Sequence, residues 1–363
     1  MLVPMILRRK SAPRHQGMLL GTASTGAAAA VPSWLRRSVA DAQRLAAQGL
    51  GPNVLGRNAL GPNAREEVSL AAGAAIGALD AVVRRQERWA GAWRQRLALS
   101  AAAVTAKQVG RVEDENALRD TFLLSRPGDG LPGSTTLGPA GLLLLAWRRL
   151  AMRPAQDLLT EKSLSAVLEA FGYAGDSEAV RDLTDDLRQL AASHRTVGMV
   201  TGALASAERR GFGRALGAWL ADALVAQRLG WAHAVPLLGA EAIAGLGAGR
   251  ARRSGASVPA SIDDESDRAK SLLAAQARAA LRAIDLSAEL ERRADRLLAV
   301  APKLRAKAAD KVVEKLLSDD SIVASEPIAG MSDRGLRRLF DRLVELGAVR
   351  ELSGRPTFRI YGL

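Results

Sequence analysis

From Ala71 to Val83 the chain reads AAGAAIGALDAVV, thirteen residues of which all but Asp80 are small or apolar. A helix built from such a run has no polar face to turn to water, so it belongs in the middle of a bundle. The run lies inside a predicted helix over 65–86. A second predicted helix over 89–110 opens with Trp89 and Trp93, four residues apart and therefore on one face. The rest of the composition agrees. Apolar residues make up 48% of the 363 and aromatics only 4%, and Ala and Leu are the residues that lose least on entering a helix. The expected fold is all-α: a multi-helix, bundle-like body of about ten helices joined by short connections.

Gly and Pro punctuate the chain at the places where such helices should end. Helices are predicted at 33–49, 113–124, 139–152, 156–171, 176–193, 197–209, 213–228 and 233–247, with a long charged one from Asp263 to about Leu298. Three segments read as non-helical. Residues 50–63 repeat Leu-Gly-Pro/Arg-Asn every five residues, a linker pattern. Ser125–Pro139 is rich in Pro and Gly, and residues 248–262 are basic and small. The domain expectation is 1–64 as a basic arm and linker, 65–249 as a helical domain, 250–300 as a linker and long connecting helix, and 301–363 as a C-terminal domain. Within the arm, residues 1–32 are expected to be disordered, and Met18 is an alternative start.

The C-terminal domain carries the clearest pattern. A helix is predicted over 302–318, an irregular stretch over 319–331, and a second helix from Asp333 to Leu346, with Ser332 as its N-cap and Gly347 as its C-cap. Leu336, Leu339, Phe340, Leu343 and Leu346 share one side of that helix at helical spacing. Arg334, Arg337, Arg338, Asp341, Arg342 and Glu345 take the other. Two short strands follow, Ala348–Leu352 and Thr357–Tyr361, turned by Ser353-Gly354-Arg355-Pro356. Helix, helix and a two-stranded hairpin with an arginine at its tip is the plan of a winged helix-turn-helix. Double-stranded DNA is the partner expected from it. A helix fits the major groove, where arginine can bond guanine twice, and a wing reaches phosphate. The expected contacts are Arg334, Arg337, Arg338 and Arg342 on the helix, with Arg355 and Arg359 from the wing. The alternative is a non-enzymatic scaffold whose winged helix contacts protein, a reading that Asp341 and Glu345 favour because they repel phosphate.

Net charge is +13, which suits a partner rich in phosphate. Its distribution is uneven: residues 1–60 hold eight bases and one acid, whereas 303–363 hold twelve bases and nine acids. Affinity in the C-terminal domain therefore has to come from one face. With no cysteine, thiolate metal sites, disulfides and cysteine nucleophiles are excluded, and a cytoplasmic location is expected. No apolar run approaches the roughly 20 residues of a membrane span, so no membrane partner is expected. His15, His194 and His233 have no ligand spacing, and Gly245-Leu-Gly-Ala-Gly249 follows a helix where a dinucleotide loop follows a strand. The acidic runs Glu113–Glu115 and Asp185–Asp186 read as solvated helix ends before they read as metal ligands. Trp93-Arg94-Gln95-Arg96 and Trp147-Arg148-Arg149 read as tryptophans at helix crossings beside arginines that keep their heads in water. The chain is thus expected to be no enzyme and to need no cofactor and no metal. An enzyme reading would have to draw on carboxylates, arginines and tryptophans of the central helices.

Five stretches resemble a family of uncharacterised bacterial proteins found often on plasmids and other accessory replicons. They are WAGAWRQRLAL (89–99), EDENALRD (113–120), the RPGDG…GPAG…LLAWRRLA run (126–151), LADALVAQRLGWAHAVPLL (220–238) and residues 331–363. The resemblance spans about 65–363. The last block is also similar to the DNA-binding tail of a second uncharacterised family with a different helical body, which implies a portable binding module. The resemblance implies no site residues. The function expected is DNA binding in transcriptional regulation or in maintenance of an accessory replicon, with a body that senses, self-associates or recruits.

Overall fold

The computed structural model describes residues 31–48, 63–125, 134–174, 176–193, 195–241, 262–353 and 358–363. The arm over 1–30, the five-residue repeat, most of the Ser125–Pro139 loop, the 248–262 linker, the Gly245–Gly249 motif, His15, His194 and Arg355 therefore lie outside the described residues. Among these residues there are twelve α-helices and one small antiparallel sheet. All of them belong to one compact unit, Val31–Leu363.

The body is built around two long helix pairs. Helix α1 (Ser33–Gln48) and α2 (Asn63–Arg84) lie along one another and along the later, 39-residue α10 (Ile262–Val300). The small residues of α2 make that closeness feasible: Ala71, Ala72, Ala75 and Leu79 are all buried. Helix α3 (Ala90–Gln108) packs against α5 (Ser134–Met152) and also touches α4 (Glu115–Leu124). Gly138, at φ 63°, and Pro139 break α5 near its start, so its straight part begins where the sequence pattern resumes. Helices α6 (Glu161–Ala170) and α7 (Ser177–Ala192) lead to the antiparallel neighbours α8 (Thr196–Arg209) and α9 (Arg214–Arg228).

Trp93, Trp147 and Trp219 are the largest fully buried side chains. Each indole N–H has a partner: Ala283 O at 2.9 Å, Thr105 Oγ1 at 3.1 Å and Ala146 O at 2.9 Å. Trp93 and Trp147 therefore sit at helix crossings, as their sequence context suggested, but the arginines beside them do not keep their heads in water: Arg96 and Arg148 side chains are 13% and 14% exposed, and Arg94 donates to Ala151 O.

The helix predicted over 233–247 does not form over its described part, residues 233–241. Residues 233–241 form an isolated bridge between His233 and Pro154, then a single 3-10 turn over Leu238–Ala240. The apolar residues Ala234, Val235, Leu237 and Leu238 are nonetheless buried. Pro236 has no N–H to give a helix. The next two backbone N–H groups, of Leu237 and Leu238, donate to the buried Asp222 carboxylate at 2.8 and 3.0 Å. Burial raises the Asp222 pKa well above the usual carboxylate value, against the lowering effect of backbone N–H groups of residues 237–239.

The C-terminal elements are α11 (Ala309–Ser318), β1 (Ile322–Val323), α12 (Asp333–Glu345), β2 (Arg350–Glu351) and β3 (Ile360–Gly362). The sheet is three-stranded, in the order β1-β3-β2, so the expected two-stranded hairpin gains a third strand from the stretch read as irregular. Ile322 pairs with Tyr361, and Arg350 with Gly362. The Tyr361 ring stacks on Phe340 of α12 at 4.2 Å. On the other side of the sheet Val323 and Ile360 form a small apolar cluster with Leu123 of α4.

Candidate nucleic-acid interface

Helix α12 starts as its sequence dictates. Ser332 Oγ accepts the Gly335 N–H at 3.2 Å. It stops at Gly347, which takes φ 64°, while the Ala348 N–H reaches back to Leu343 O at 2.9 Å. That is the glycine-ended helix terminus that L side chains resist. Leu336, Leu339, Phe340 and Leu343 are buried, whereas Leu346, read as part of the same apolar face, is 38% exposed. The last turn has rotated it off the core.

Arg334, Arg337, Arg338, Asp341, Arg342 and Glu345 are all exposed on the opposite side. They do not behave alike. Arg342 donates to its neighbour Glu345 at 2.6 Å. Arg359, from the approach to β3, lies 3.6 Å from Asp341 and 4.0 Å from Glu351. Its pKa is raised, first by its interaction with Tyr361 and then by Glu351 and Asp341. By contrast Arg334, Arg337 and Arg338 have no hydrogen bond or ion pair with any described residue. The N-terminal half holds three arginines unpaired among the described residues beside the exposed Asp333, and the C-terminal half is internally neutralised.

A second basic segment lies beside this half. Lys303, Arg305 and Lys307 are exposed in the link between α10 and α11. That link closes on Ala308, at φ 61°. A Cβ placed on Gly330 would be 3.7 Å from the Ala308 Cβ. Lys311 Nζ donates to Ala329 O at 3.1 Å. The link is therefore held against the turn that leads into α12. Its signal in the sequence is three bases at alternate positions with no acid between residues 303 and 309, a short pattern that bulk charge conceals.

One buried carboxylate lies at the seam between the C-terminal region and the body. Asp320 is 4% exposed. Its two oxygens take Arg96 Nε of α3 and Arg119 Nε of α4, the latter at 2.7 Å. Burial pushes this carboxyl up, but the charges of Arg96 and Arg119, the Arg119 hydrogen bond and the charge of Arg148 outweigh it and hold the pKa at about 2. Beside it, Gln95 Nε2 donates to Ser318 O at 3.0 Å and to Asp319 Oδ1 at 2.8 Å. Gly91 brings the backbone of α3 so near α11 that an added Cβ would stand 2.6 Å from Ser318 O. Arg293 of α10 donates to Leu363 O at 3.0 Å.

The other candidates resolve into structural roles. Asp114 caps α4 by accepting the Ala117 N–H at 2.8 Å. Asp186 binds Arg210 at 2.7 Å and Ser206 Oγ at 2.9 Å, and Asp185 binds Arg188 at 2.7 Å. Among the described residues no three histidines or carboxylates gather in a way that could hold a metal. Arg94 donates from Nε to Ala151 O at 2.8 Å, and burial lowers its pKa to about 10. Burial, then the nearby Arg94 charge, lowers the pKa of His233. No helix among the described residues is long and apolar enough to cross a membrane.

No curated protein and no solved structure matches the chain. A family model described as "Protein of unknown function (DUF1403)" matches residues 56–363, and the chain belongs to that family.

Proposed function

We propose that the chain binds double-stranded DNA through a C-terminal winged helix, with α12 laid in the major groove. The single observation that carries this reading is the set of three unpartnered arginines, Arg334, Arg337 and Arg338, opposite the buried Leu/Phe face of α12. Element order supports it: helix, strand, helix and hairpin, with the first strand paired beside the last, is how winged helices are assembled. The turn at 329–330 and the bases at 303, 305 and 307 add a place for phosphate backbone next to the start of α12. Of the six arginines expected from sequence, we assign the leading role to Arg334, Arg337 and Arg338. Arg342 and Arg359 take a lesser one, because each must leave an acid to reach phosphate. The cellular setting we propose is transcriptional regulation or maintenance of an accessory replicon.

Fluorescence anisotropy of a labelled random-sequence duplex against the full chain tests this. Binding should weaken steeply from about 50 to 200 mM salt, because each phosphate contact releases counterions. It should fall when Arg337→Ala and Arg338→Ala are combined. Binding with no salt dependence, or binding untouched by that pair, rejects the proposal.

A second reading has its own observation. Val344 and Leu346 are 41% and 38% exposed at the C-terminal end of α12, beside the neutralised Asp341–Glu345 stretch. Such a mixed apolar and paired surface suits protein contact, and the body or α12 would then recruit or self-associate. Sedimentation of the full chain against Val344→Lys separates the two, since only oligomers built on this end dissociate.

A further inference from the structure

A cavity of about 250 Å³ opens where α2, α8, α9 and α10 meet. Most of its wall is aliphatic, from Ile76, Val197, Val200, Val225, Leu229 and Leu273. Ser69, Thr196, Gln276 and Arg228 interrupt that wall with polar groups, of which the last two bear on a ligand. Gln276 of α10 lines the cavity, is only 5% exposed, and its amide makes no hydrogen bond with any described residue. Arg228, the last residue of α9, lines it too, is exposed, and is the one charged group in the lining. It has no ion pair among the described residues. The Gln276 amide atoms keep some accessible surface, so inside the cavity they are free to donate to or accept from a ligand oxygen.

We infer that this cavity is a binding site for a small monocarboxylic acid with a branched aliphatic body. The carboxylate pairs with Arg228, the body lies against the valines, Ile76 and the two leucines, and a further oxygen on the body accepts from or donates to Gln276. The volume admits a molecule of on the order of eight non-hydrogen atoms, at the ~30 Å³ that one water occupies in the liquid. That is below the roughly 300–1,000 Å³ of drug-sized sites. With a cation and no acid in the lining, charge complementarity selects an anion. The inference stands independently of DNA binding.

Gly73 offers a direct way to close the site. It lies on the cavity wall in α2, and a Cβ added there meets nothing within 4 Å. Gly77, one turn further along the same helix, is equally open but does not line the cavity. Isothermal titration calorimetry of the full chain with isovalerate, 2-hydroxyisovalerate and the neutral isovaleramide is the test. Saturable binding of both acids is expected, with the amide at least about tenfold weaker. Gly73→Leu should abolish binding and Gly77→Leu should keep it. Arg228→Gln should weaken it about tenfold, and Gln276→Leu should erase the preference for the hydroxy acid. Absence of saturable heat with both acids means a cavity holding water only and overturns the inference. So does binding that survives Gly73→Leu in a protein whose thermal melt matches that of Gly77→Leu.

Discussion

Arg96 and Arg119 have side chains 13% and 8% exposed, closed on the single carboxylate of Asp320. Arg334, Arg337 and Arg338 stand in solvent with no ion pair to any described residue. The same side chain thus does opposite work at two ends of one region. At the seam, removing charge from water is tolerable because each guanidinium hydrogen-bonds an anion that cannot leave. On α12 the cations stay hydrated and give nothing to the fold, so they are available for a partner. A net charge of +13 says nothing about this division; what separates the two sets is whether the backbone brings an acid within reach.

The comparison can be broken most severely at Asp320. Asp320→Ala leaves Arg96 and Arg119 buried without a counter-charge, and chemical denaturation should show a loss of about 3–5 kcal/mol. Next in size is Gly91→Ala, whose new methyl would meet Ser318 O at 2.6 Å. Overpacking of this kind costs about 1–3 kcal/mol, read as a lower denaturation midpoint.

The seam also has a pH signature. With the Asp320 pKa held at about 2 against an ordinary 3.8, its contribution is complete above 3.8 and is lost as pH falls through about 2. The stability difference between the native chain and Asp320→Asn should therefore be flat above that window and shrink within it. A difference that stays constant through the window contradicts the assignment.

The exposed set should do the reverse. Arg337→Ala with Arg338→Ala should leave stability within about 0.5 kcal/mol, while the salt slope of duplex binding falls by about 0.9 per lost contact. Replacing Lys303, Arg305 and Lys307 by Ala should lower that slope further without changing sequence preference, since such bases meet phosphate alone. The smallest effect belongs to Arg342→Ala. Its exposed pair with Glu345 is worth at most about 1 kcal/mol to the fold, and the released Glu345 offsets part of the lost cation in binding.

Much of α12 could be read in advance, because its signals are local. Ser332, Gly347 and the Leu/Phe spacing all act within one or two turns. The helices of the body were legible for the same reason, up to their ends. What could not be read depends on residues far apart in the chain. Strand β1 is two residues long and exists only because Ile322 and Val323 meet Ile360 and Tyr361. The helix expected over 233–247 yields between residues 233 and 241, where Asp222, fifteen residues before Leu237, captures backbone donors that a helix would need. Arg96 read as an arginine with its head in water, until an aspartate more than two hundred positions away was placed between it and Arg119. Unpartnered status is equally non-local, which is why the arginines looked equivalent on α12 and its hairpin, whereas of the five among the described residues Arg342 and Arg359 meet acids and Arg334, Arg337 and Arg338 do not.

The tie between Asp320, Gln95 and the two body helices has a geometric consequence for the DNA binding proposed above. A module hung on a flexible tether can follow half-sites at many separations, whereas this one moves only with the body. Two copies joined through their bodies would hold their α12 helices at one gauge, as the jaws of a locked caliper do. Inserting about five base pairs between half-sites, half of the roughly 10–10.5 bp turn, would carry the second groove to the far side of the duplex. Operator spacing would then be a ruler for how the bodies pair.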